Sequence, residues 1–270
     1  MLEMLMEMMS YPFMRRAFIA GILVSLCAAL LGVSLVLKRY SMIGDGLSHV
    51  GFGAMAIATA LHVAPLSVAI PVVVLAAFFL LRIKEDTRIK GDSAIAMIST
   101  GSLAIGVMVI SMTTGMNTDV SNYMFGSILA MSNSDVIMSV ILSIIVLALY
   151  ILFYNKLFAV TFDEKFAQAT GVRANAYNTL LAVLTAITIV LGMRMMGTLL
   201  ITALIIFPAL SAMCVCKNYK GVVILATVFA VICFSVGLLV SYVYATPTGA
   251  SVVIMNMIVL ALCNLVKMFR

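Results

Sequence analysis

The sequence predicts an all-α, polytopic membrane protein. Of its 270 residues, 64% are hydrophobic and only 10% are charged, and the mean hydropathy is +1.24, which excludes an ordinary soluble domain. The apolar residues form long continuous runs rather than the polar–apolar alternation of membrane barrels, so the spans are predicted to be helices. The basic residues cluster between these runs, as in loops at a membrane surface, which argues against a nucleic-acid partner.

About 20 residues are needed to cross a bilayer as a helix. Nine apolar runs are candidates, and eight crossings are the alternative because some runs are short or polar. The candidates lie near 18–37, 41–61, 66–82, 93–114, 134–154, 178–193, 198–216, 221–244 and 249–267. Alternating loops place 13 of the 16 Lys and Arg residues on one side, which is therefore predicted to be cytoplasmic. Residues 1–270 are predicted to form one transmembrane domain.

Two segments outside these runs have their own predictions. Residues 1–17 begin with methionines interleaved with Leu2, Glu3, Leu5 and Glu7, a pattern typical of a helix lying on the membrane surface. A copper-binding thioether tract is the alternative there. Residues 115–133 are too short and polar to cross comfortably, so they are predicted to form an external or re-entrant helix.

Asp45 and His49 are the main functional candidates. They lie four residues apart in the second predicted span, so a helix places both side chains on one face. An ionisable side chain near the bilayer centre costs about 2.5–3.5 kcal/mol on insertion scales, so a span that carries two is expected to use them. The pair supplies oxygen and nitrogen ligands for a divalent cation, or two stations for a proton.

Two interpretations of this pair are open at the level of sequence. A second span that begins near Arg39 brings His49 close to the midplane at about 1.5 Å per residue. Two copies meeting along this helix would bring two carboxylates and two imidazoles to one axis. Small residues around the pair let another helix approach closely: Gly44, Gly46, Ser48, Gly51, Gly53 and Ala54. The alternative is structural, with Asp45 as a helix cap and His49 bonded to a neighbouring carbonyl.

Three further residues are candidates for supporting roles. His62 and Asp119 lie on the predicted outer side, where a cation first arrives, and solvated loop side chains are the alternative. Pro208 lies inside the seventh predicted span, where a proline frees a backbone carbonyl and favours a kink. It is therefore a candidate hinge, with static packing as the alternative.

The longest internal polar segment contains a predicted short cytoplasmic helix over 161–172. Asp163 and Glu164 lie in its first turn and Gly171 lies near its C-terminal end. Such a helix fits a groove of a soluble partner, and an interfacial connector is the alternative.

The chain carries no G-x-x-x-x-G-K-[S/T] phosphate loop. If transport is driven by ATP, another polypeptide must hydrolyse the nucleotide, so this chain is predicted not to be an enzyme. No permanently bound cofactor is expected.

Five segments carry a family likeness when they are taken together in chain order. They are Ser41–His49, Tyr123–Leu129, Phe162–Val172, Gly197–Ala209 and Thr246–Val253. In this order they resemble the metal-type permeases of ATP-binding-cassette (ABC) importers, which take up zinc, manganese or iron in bacteria. The likeness runs through nearly the whole chain. Gly46 departs from the pattern, because family members more often have alanine or threonine there.

The resemblance implies a homodimeric permease in the bacterial plasma membrane. It also implies two cytoplasmic ATPase subunits and an extracytoplasmic metal-binding protein as partners. Asp45 and His49 match residues that line the family's translocation path. The 161–172 helix is assigned to coupling with the ATPase, through Phe162, Asp163, Glu164, Ala167 and Gly171.

Zinc is the first choice of cargo, because two carboxylate oxygens and two imidazole nitrogens suit Zn²⁺ well. Manganese and iron accept the same donors with more oxygens or waters. Two other classes of transporter compete with this interpretation. A secondary transporter would use Asp45 and His49 as a proton relay, and an importer of a vitamin or siderophore through a related fold would have a roomy apolar pore.

Overall fold

The computed structural model describes residues 10–82, 91–113 and 133–269. Within these ranges the chain is helical and contains no strand, which confirms the predicted all-α class. The eleven helices are α1 (Pro12–Leu37), α2 (Ile43–Ala60), α3 (Pro65–Arg82), α4 (Gly91–Met112), α5 (Asn133–Leu152), α6 (Tyr154–Phe162), α7 (Glu164–Ala169), α8 (Ala174–Met196), α9 (Thr198–Val215), α10 (Tyr219–Tyr244) and α11 (Thr248–Met268).

Seven of these helices are long and apolar enough to cross a membrane: α1, α4, α5, α8, α9, α10 and α11. Each of the nine predicted runs corresponds to a helix, but the predicted eight or nine spans exceed these seven. The apolar part of α3 is short, Pro65–Leu80. Asp45, His49 and several glycines lower the hydropathy of α2, which has only 18 residues. The described chain is therefore a multi-pass membrane protein.

One end of the helix bundle is basic. Lys38 follows α1, Lys156 lies in α6, Arg173 precedes α8, and Lys217 lies between α9 and α10. We call this the basic end and the other the outer end. At the outer end, Arg194 Nη2 lies 3.6 Å from Asp135 Oδ2, so one of the few basic residues there is paired with a carboxylate.

The centre of the bundle is formed by α1, α8 and α9, whose inward faces are almost completely buried. The backbones of α1 and α9 touch at Gly32. A Cβ added there would lie 2.1 Å from the carbonyl oxygen of Ile205, closer than any real contact. Only glycine permits this approach, so α9 is held tightly against the bundle centre.

Helix α2 packs against α3 and α4 through its small residues. A Cβ added to Gly53 would lie 2.7 Å from the carbonyl oxygen of Ser102 in α4. A Cβ added to Gly46 would lie 2.6 Å from Cγ2 of Ile95, which also belongs to α4. The predicted close approach of another helix is confirmed, and the neighbour is α4 of the same chain. Glycine at position 46 fits this chain because Ile95 occupies the space that an alanine methyl would need.

Gly46→Ala is therefore expected to destabilise the protein. Overpacking typically costs about 1–3 kcal/mol, while replacing a helical glycine by alanine gains up to about 1 kcal/mol, so the net loss is about 1 kcal/mol. Thermal unfolding in detergent should show a lower midpoint for Gly46→Ala. The matched control is Gly101→Ala in α4, where an added Cβ meets nothing within 4 Å and the midpoint should hold or rise. Equal midpoints for the two variants would contradict the steric argument.

Two predicted segments fall partly or wholly outside the described residues. Residues 12–17 of the predicted surface segment belong to α1, and residues 1–9 are not described. The predicted external or re-entrant helix in 115–133 lies outside the described residues up to position 132. Both remain predictions.

Candidate functional site

Asp45 and His49 lie on the open face of α2. His49 Nε2 is 3.7 Å from Asp45 Oδ1, and the side chains are 19% and 48% exposed. Asp45 lies in the first turn of α2, whose N-cap is Met42, and no side-chain hydrogen bond caps the helix. The alternative interpretation of Asp45 as the helix cap is therefore wrong. Most of the other residues of α2 are buried, so these two side chains are presented away from α3 and α4.

A cavity of about 370 Å³ adjoins the pair. Its other walls come from α9 and α11, which supply mostly apolar side chains: Thr198, Leu199, Thr202, Ala203, Ile206, Phe207 and Val253. The Thr202 hydroxyl donates to the carbonyl of Leu199, 3.0 Å away in its own helix. The carboxylate of Asp45 and the imidazole of His49 are the ionisable groups of the lining.

The cavity is open to the surface and runs along α9 from Thr198, its first residue, to Phe207 near its middle. A Cβ added to Gly44 would lie 3.4 Å from Ile205 Cδ1 and 3.9 Å from Thr202 Cγ2. Ile205 precedes Val215, the basic end of α9, by ten residues or about 15 Å. The first turn of α2, which contains Asp45, thus lies beside the middle of α9 rather than beside its basic end.

The separation of the two side chains suits shared contact with one metal ion. Two ligands about 2.1 Å from a tetrahedral ion lie about 3.4 Å apart, so 3.7 Å requires only a small adjustment. His49 Nδ1 is buried and has no hydrogen-bond partner among the described residues. A resident metal-binding histidine normally donates this N–H to a fixed acceptor. No hydrogen bond within the described residues fixes the His49 ring through Nδ1, so the described structure does not support the alternative of an imidazole bonded to a carbonyl.

One chain offers an incomplete ligand set. Among residues 10–82, 91–113 and 133–269, no cluster of three or more His, Cys, Asp or Glu side chains could hold a metal. A zinc site normally has four ligands, and catalytic sites keep three from the protein. The pair therefore needs water or a second chain to complete the coordination of an ion.

The other candidates lie away from this pair. His62 is exposed in the turn after α2, with a left-handed φ of 54°, 13 residues or about 20 Å of helix from His49. Asp119 lies outside the described residues. Pro208 is buried inside α9, directly after Phe207 of the cavity wall, and the helix continues to Val215. Roles in metal entry and hinge motion remain predictions.

The α9 side of the cavity was not predicted from the sequence. Thr198 and Thr202 are spaced four residues apart in an apolar run, the same spacing as Asp45 and His49. Hydroxyl groups one helical turn apart inside a span are the signal that could have identified this wall.

Comparison with known proteins decides the family. The model of the ABC 3 transport family matches residues 10–267. The chain belongs to this family. The manganese import system permease protein ScaB of Streptococcus gordonii is 30% identical over 257 residues, covering 95% of this chain and 92% of its own. The zinc uptake system membrane protein ZnuB of Haemophilus influenzae is 32% identical over 238 residues, covering 88% and 91%.

The fold of this ABC 3 family member agrees with a solved relative. PsaBC from Streptococcus pneumoniae in complex with Fab contains a chain with a TM-score of 0.87 and 29% identity, with 97% of this chain and 94% of that chain covered. The resemblance to the metal-type permeases of ABC importers is thereby confirmed. In bacteria, such a multi-pass protein lies in the plasma membrane.

In this permease, the helix predicted over 161–172 is divided between the end of α6 and the short α7. Asp163 Oδ1 accepts a hydrogen bond from the backbone N–H of Phe166 at 2.9 Å and so caps α7. Ala167 is buried against Val160 and Ala174. Gly171, at φ 83°, turns the chain towards α8.

The proposed coupling residues of the permease do not share one surface. Phe162 and Phe166 are 59% and 65% exposed at the basic end. Glu164 points instead towards the bundle, where its Oε2 accepts a hydrogen bond from Asn178 at 3.0 Å. The two phenylalanines thus form the apolar surface available to a soluble partner, whereas Asp163, Ala167 and Gly171 shape the segment that presents it.

Proposed function

We propose that this chain is the membrane permease of an ATP-driven importer for divalent transition-metal ions, and that Asp45 and His49 carry the ion across the membrane. The main support for this proposal is their position, 3.7 Å apart at the cavity between α2, α9 and α11. A carboxylate oxygen and an imidazole nitrogen are ligands for Zn²⁺, Mn²⁺ and Fe²⁺. Both side chains are costly inside a bilayer, so a transport role accounts for their placement.

The complete site is proposed to form between two copies of the chain. Each copy supplies one carboxylate and one imidazole from the open face of α2, and two copies supply four ligands. Within the described residues, no acceptor fixes Nδ1 of His49, an arrangement that favours brief binding over a permanent site. A closed structural site would retain the ion, so a shared and incomplete site suits transport better.

Zinc remains the first choice of cargo, with manganese as the main alternative. Four nitrogen and oxygen ligands are enough for tetrahedral Zn²⁺, whereas Mn²⁺ would need additional waters. The relatives support both ions, because ScaB is named for manganese import and ZnuB for zinc uptake.

The proposed partners are two cytoplasmic ATPase subunits and an extracytoplasmic metal-binding protein. The basic end of the bundle faces the cytoplasm by the positive-inside rule. There, Phe162 and Phe166 offer the ATPase an exposed apolar surface on either side of the α7 start. Closure of the ATPase dimer on ATP would then move α7 and open the cavity alternately to the two sides of the membrane.

Transport by purified complexes in liposomes tests this proposal. Liposomes that contain the permease and its ATPase, supplied with the binding protein and Zn²⁺ or Mn²⁺, should take up metal only with ATP. Zn²⁺ should be taken up in preference to Mn²⁺. Flux driven by a proton gradient without the ATPase would support the proton-coupled alternative and contradict the proposal. If a metal chelate inhibited uptake and free metal did not, the result would favour an importer of a vitamin or siderophore instead.

A further inference from the structure

Lys38 is a cation enclosed by three helices at the basic end. It is the C-cap residue of α1, and its side chain is only 9% exposed. Its Nζ donates a hydrogen bond to Asn178 Oδ1 of α8 and lies 3.9 Å from Glu164 Oε2 of α7. Burial lowers the pKa of Lys38, and the Glu164 carboxylate opposes this shift. An enclosed ammonium group depends on such partners, so this contact is more constrained than a surface ion pair.

Glu164 is fixed from several directions. Its Oε2 accepts from Asn178 Nδ2 at 3.0 Å, and its Oε1 accepts from Gln168 Nε2 at 3.4 Å within α7. The other charged residues of this segment differ, because Asp163 caps α7 and Lys165 is exposed. Glu164 therefore joins α7 to the ends of α1 and α8.

The chain from Lys38 to α2 is a short, hydrogen-bonded turn. The N–H of Tyr40 donates to the carbonyl of Leu35 at 2.9 Å, and the N–H of Arg39 donates to that of Val36 at 3.0 Å. Arg39 adopts a left-handed φ of 62°, which closes the end of α1. The N–H of Ile43, the first residue of α2, donates to the carbonyl of Tyr40 at 3.0 Å. Such a short, hydrogen-bonded turn cannot absorb a displacement, so a movement of Lys38 also moves the first turn of α2.

A second contact offers a competing route from this region to α1. Phe162 and Phe158 pack against Tyr219, at ring-centroid distances of 5.7 and 4.8 Å. The Tyr219 hydroxyl lies 3.1 Å from Ser34 Oγ of α1. This route starts from α6 and passes through α10, whereas the Lys38 contact starts from α7 and ends next to the helix that carries Asp45.

We propose that Lys38 is a positioning residue that couples α7 to the metal site, through its contacts with Glu164 and Asn178 and the turn into α2. This inference rests on the proposed function and adds the connection between the ATPase surface and the Asp45–His49 pair. Lys38 does not touch the ion. It moves the first turn of α2, and with it Asp45, when α7 moves.

The test compares metal transported per ATP hydrolysed in the complete complex reconstituted in liposomes. Lys38→Met should leave ATP hydrolysis and assembly intact and lower this ratio about tenfold. The exchanged pair Lys38→Glu with Glu164→Lys restores opposite charges and should recover most of the ratio. Lys217→Met, in the exposed turn between α9 and α10, is the matched control and should keep the wild-type ratio.

Asn178→Ala, which keeps both charges, provides a second variant if Lys38→Met does not assemble, and it should lower the ratio by a smaller factor. If the Lys38→Met complex assembles, an unchanged ratio of metal transported to ATP hydrolysed would overturn the inference. If it does not assemble, an unchanged ratio in Asn178→Ala would do so. Either result would leave the Tyr219 route as the connection. A wild-type complex without ATP-dependent metal flux would instead overturn the proposed function, so the two failures are distinguishable.

Discussion

Replacing either Asp45 or His49 with alanine is expected to lower ATP-dependent metal uptake at least about 100-fold. Each substitution removes one of the two ionisable ligands that a chain offers at the cavity, and in a homodimer it removes two of four. Loss of a supporting group around a metal typically costs about 10–100-fold, so loss of a ligand itself should cost more. Uptake of radioactive or fluorescently detected metal into liposomes measures the effect.

These variants should still fold and assemble. Asp45 is about half exposed and forms no helix cap, and removing an ionisable side chain from a span relieves an insertion cost of about 2.5–3.5 kcal/mol at the bilayer centre. Ser111→Ala, in an exposed position of α4 where the hydroxyl bonds its own helix, serves as the polar-to-alanine control. Asp45→Asn keeps one neutral oxygen donor and should retain partial uptake. Normal uptake by both alanine variants would refute the assigned site.

Phe166→Ala is expected to weaken association with the ATPase about 30-fold or more. Phe166 is 65% exposed at the basic end, so its ring contributes little to the fold of the permease alone. An aromatic side chain that anchors an interface typically costs at least about 2 kcal/mol when truncated, which corresponds to about 30-fold in affinity. Titration of the purified permease with its ATPase measures the change.

Phe166 is a cleaner test than Phe162, which also packs against Phe158 and Tyr219. Tyr244→Ala is the matched control, because Tyr244 is 73% exposed at the outer end of α10. Its loss should leave ATPase binding unchanged. If the two variants bound the ATPase equally well, α7 would not present the docking surface.

The sequence predicts the helices well because their signal is local. Apolar runs of sufficient length define all nine predicted spans, and each corresponds to a helix in the described structure. The two predicted spans that are not long and apolar enough to cross a membrane are α2 and α3. The sequence places the doubt about the span count on the first, second and sixth runs, and of these only the second, α2, falls short. The first and sixth runs, α1 and α8, are long and apolar enough to cross, and the structure gives seven such helices among the described residues.

The site is only partly predictable from the sequence. The four-residue spacing places Asp45 and His49 on one face, as the structure shows. The opposing wall from α9 and α11 is not predictable from that spacing, because Thr198 and Thr202 are more than 140 positions away along the chain. The orientation of Glu164 towards Lys38 is likewise a result of helix packing. The family resemblance, by contrast, implies that Glu164 is one of the residues that couple the chain to the ATPase.

The sequence by itself determined the membrane setting, the helical class, the family and the two ionisable residues of the cavity. These follow from composition, from the period of the helix and from segments in a fixed order, which need no knowledge of distant contacts. Only the tertiary structure decided which helix faces which. It placed Ile95 against Gly46, the α9 wall across from Asp45 and Lys38 beside Glu164. Such contacts depend on the close packing of surfaces far apart in the chain, and local sequence patterns carry no record of that pairing.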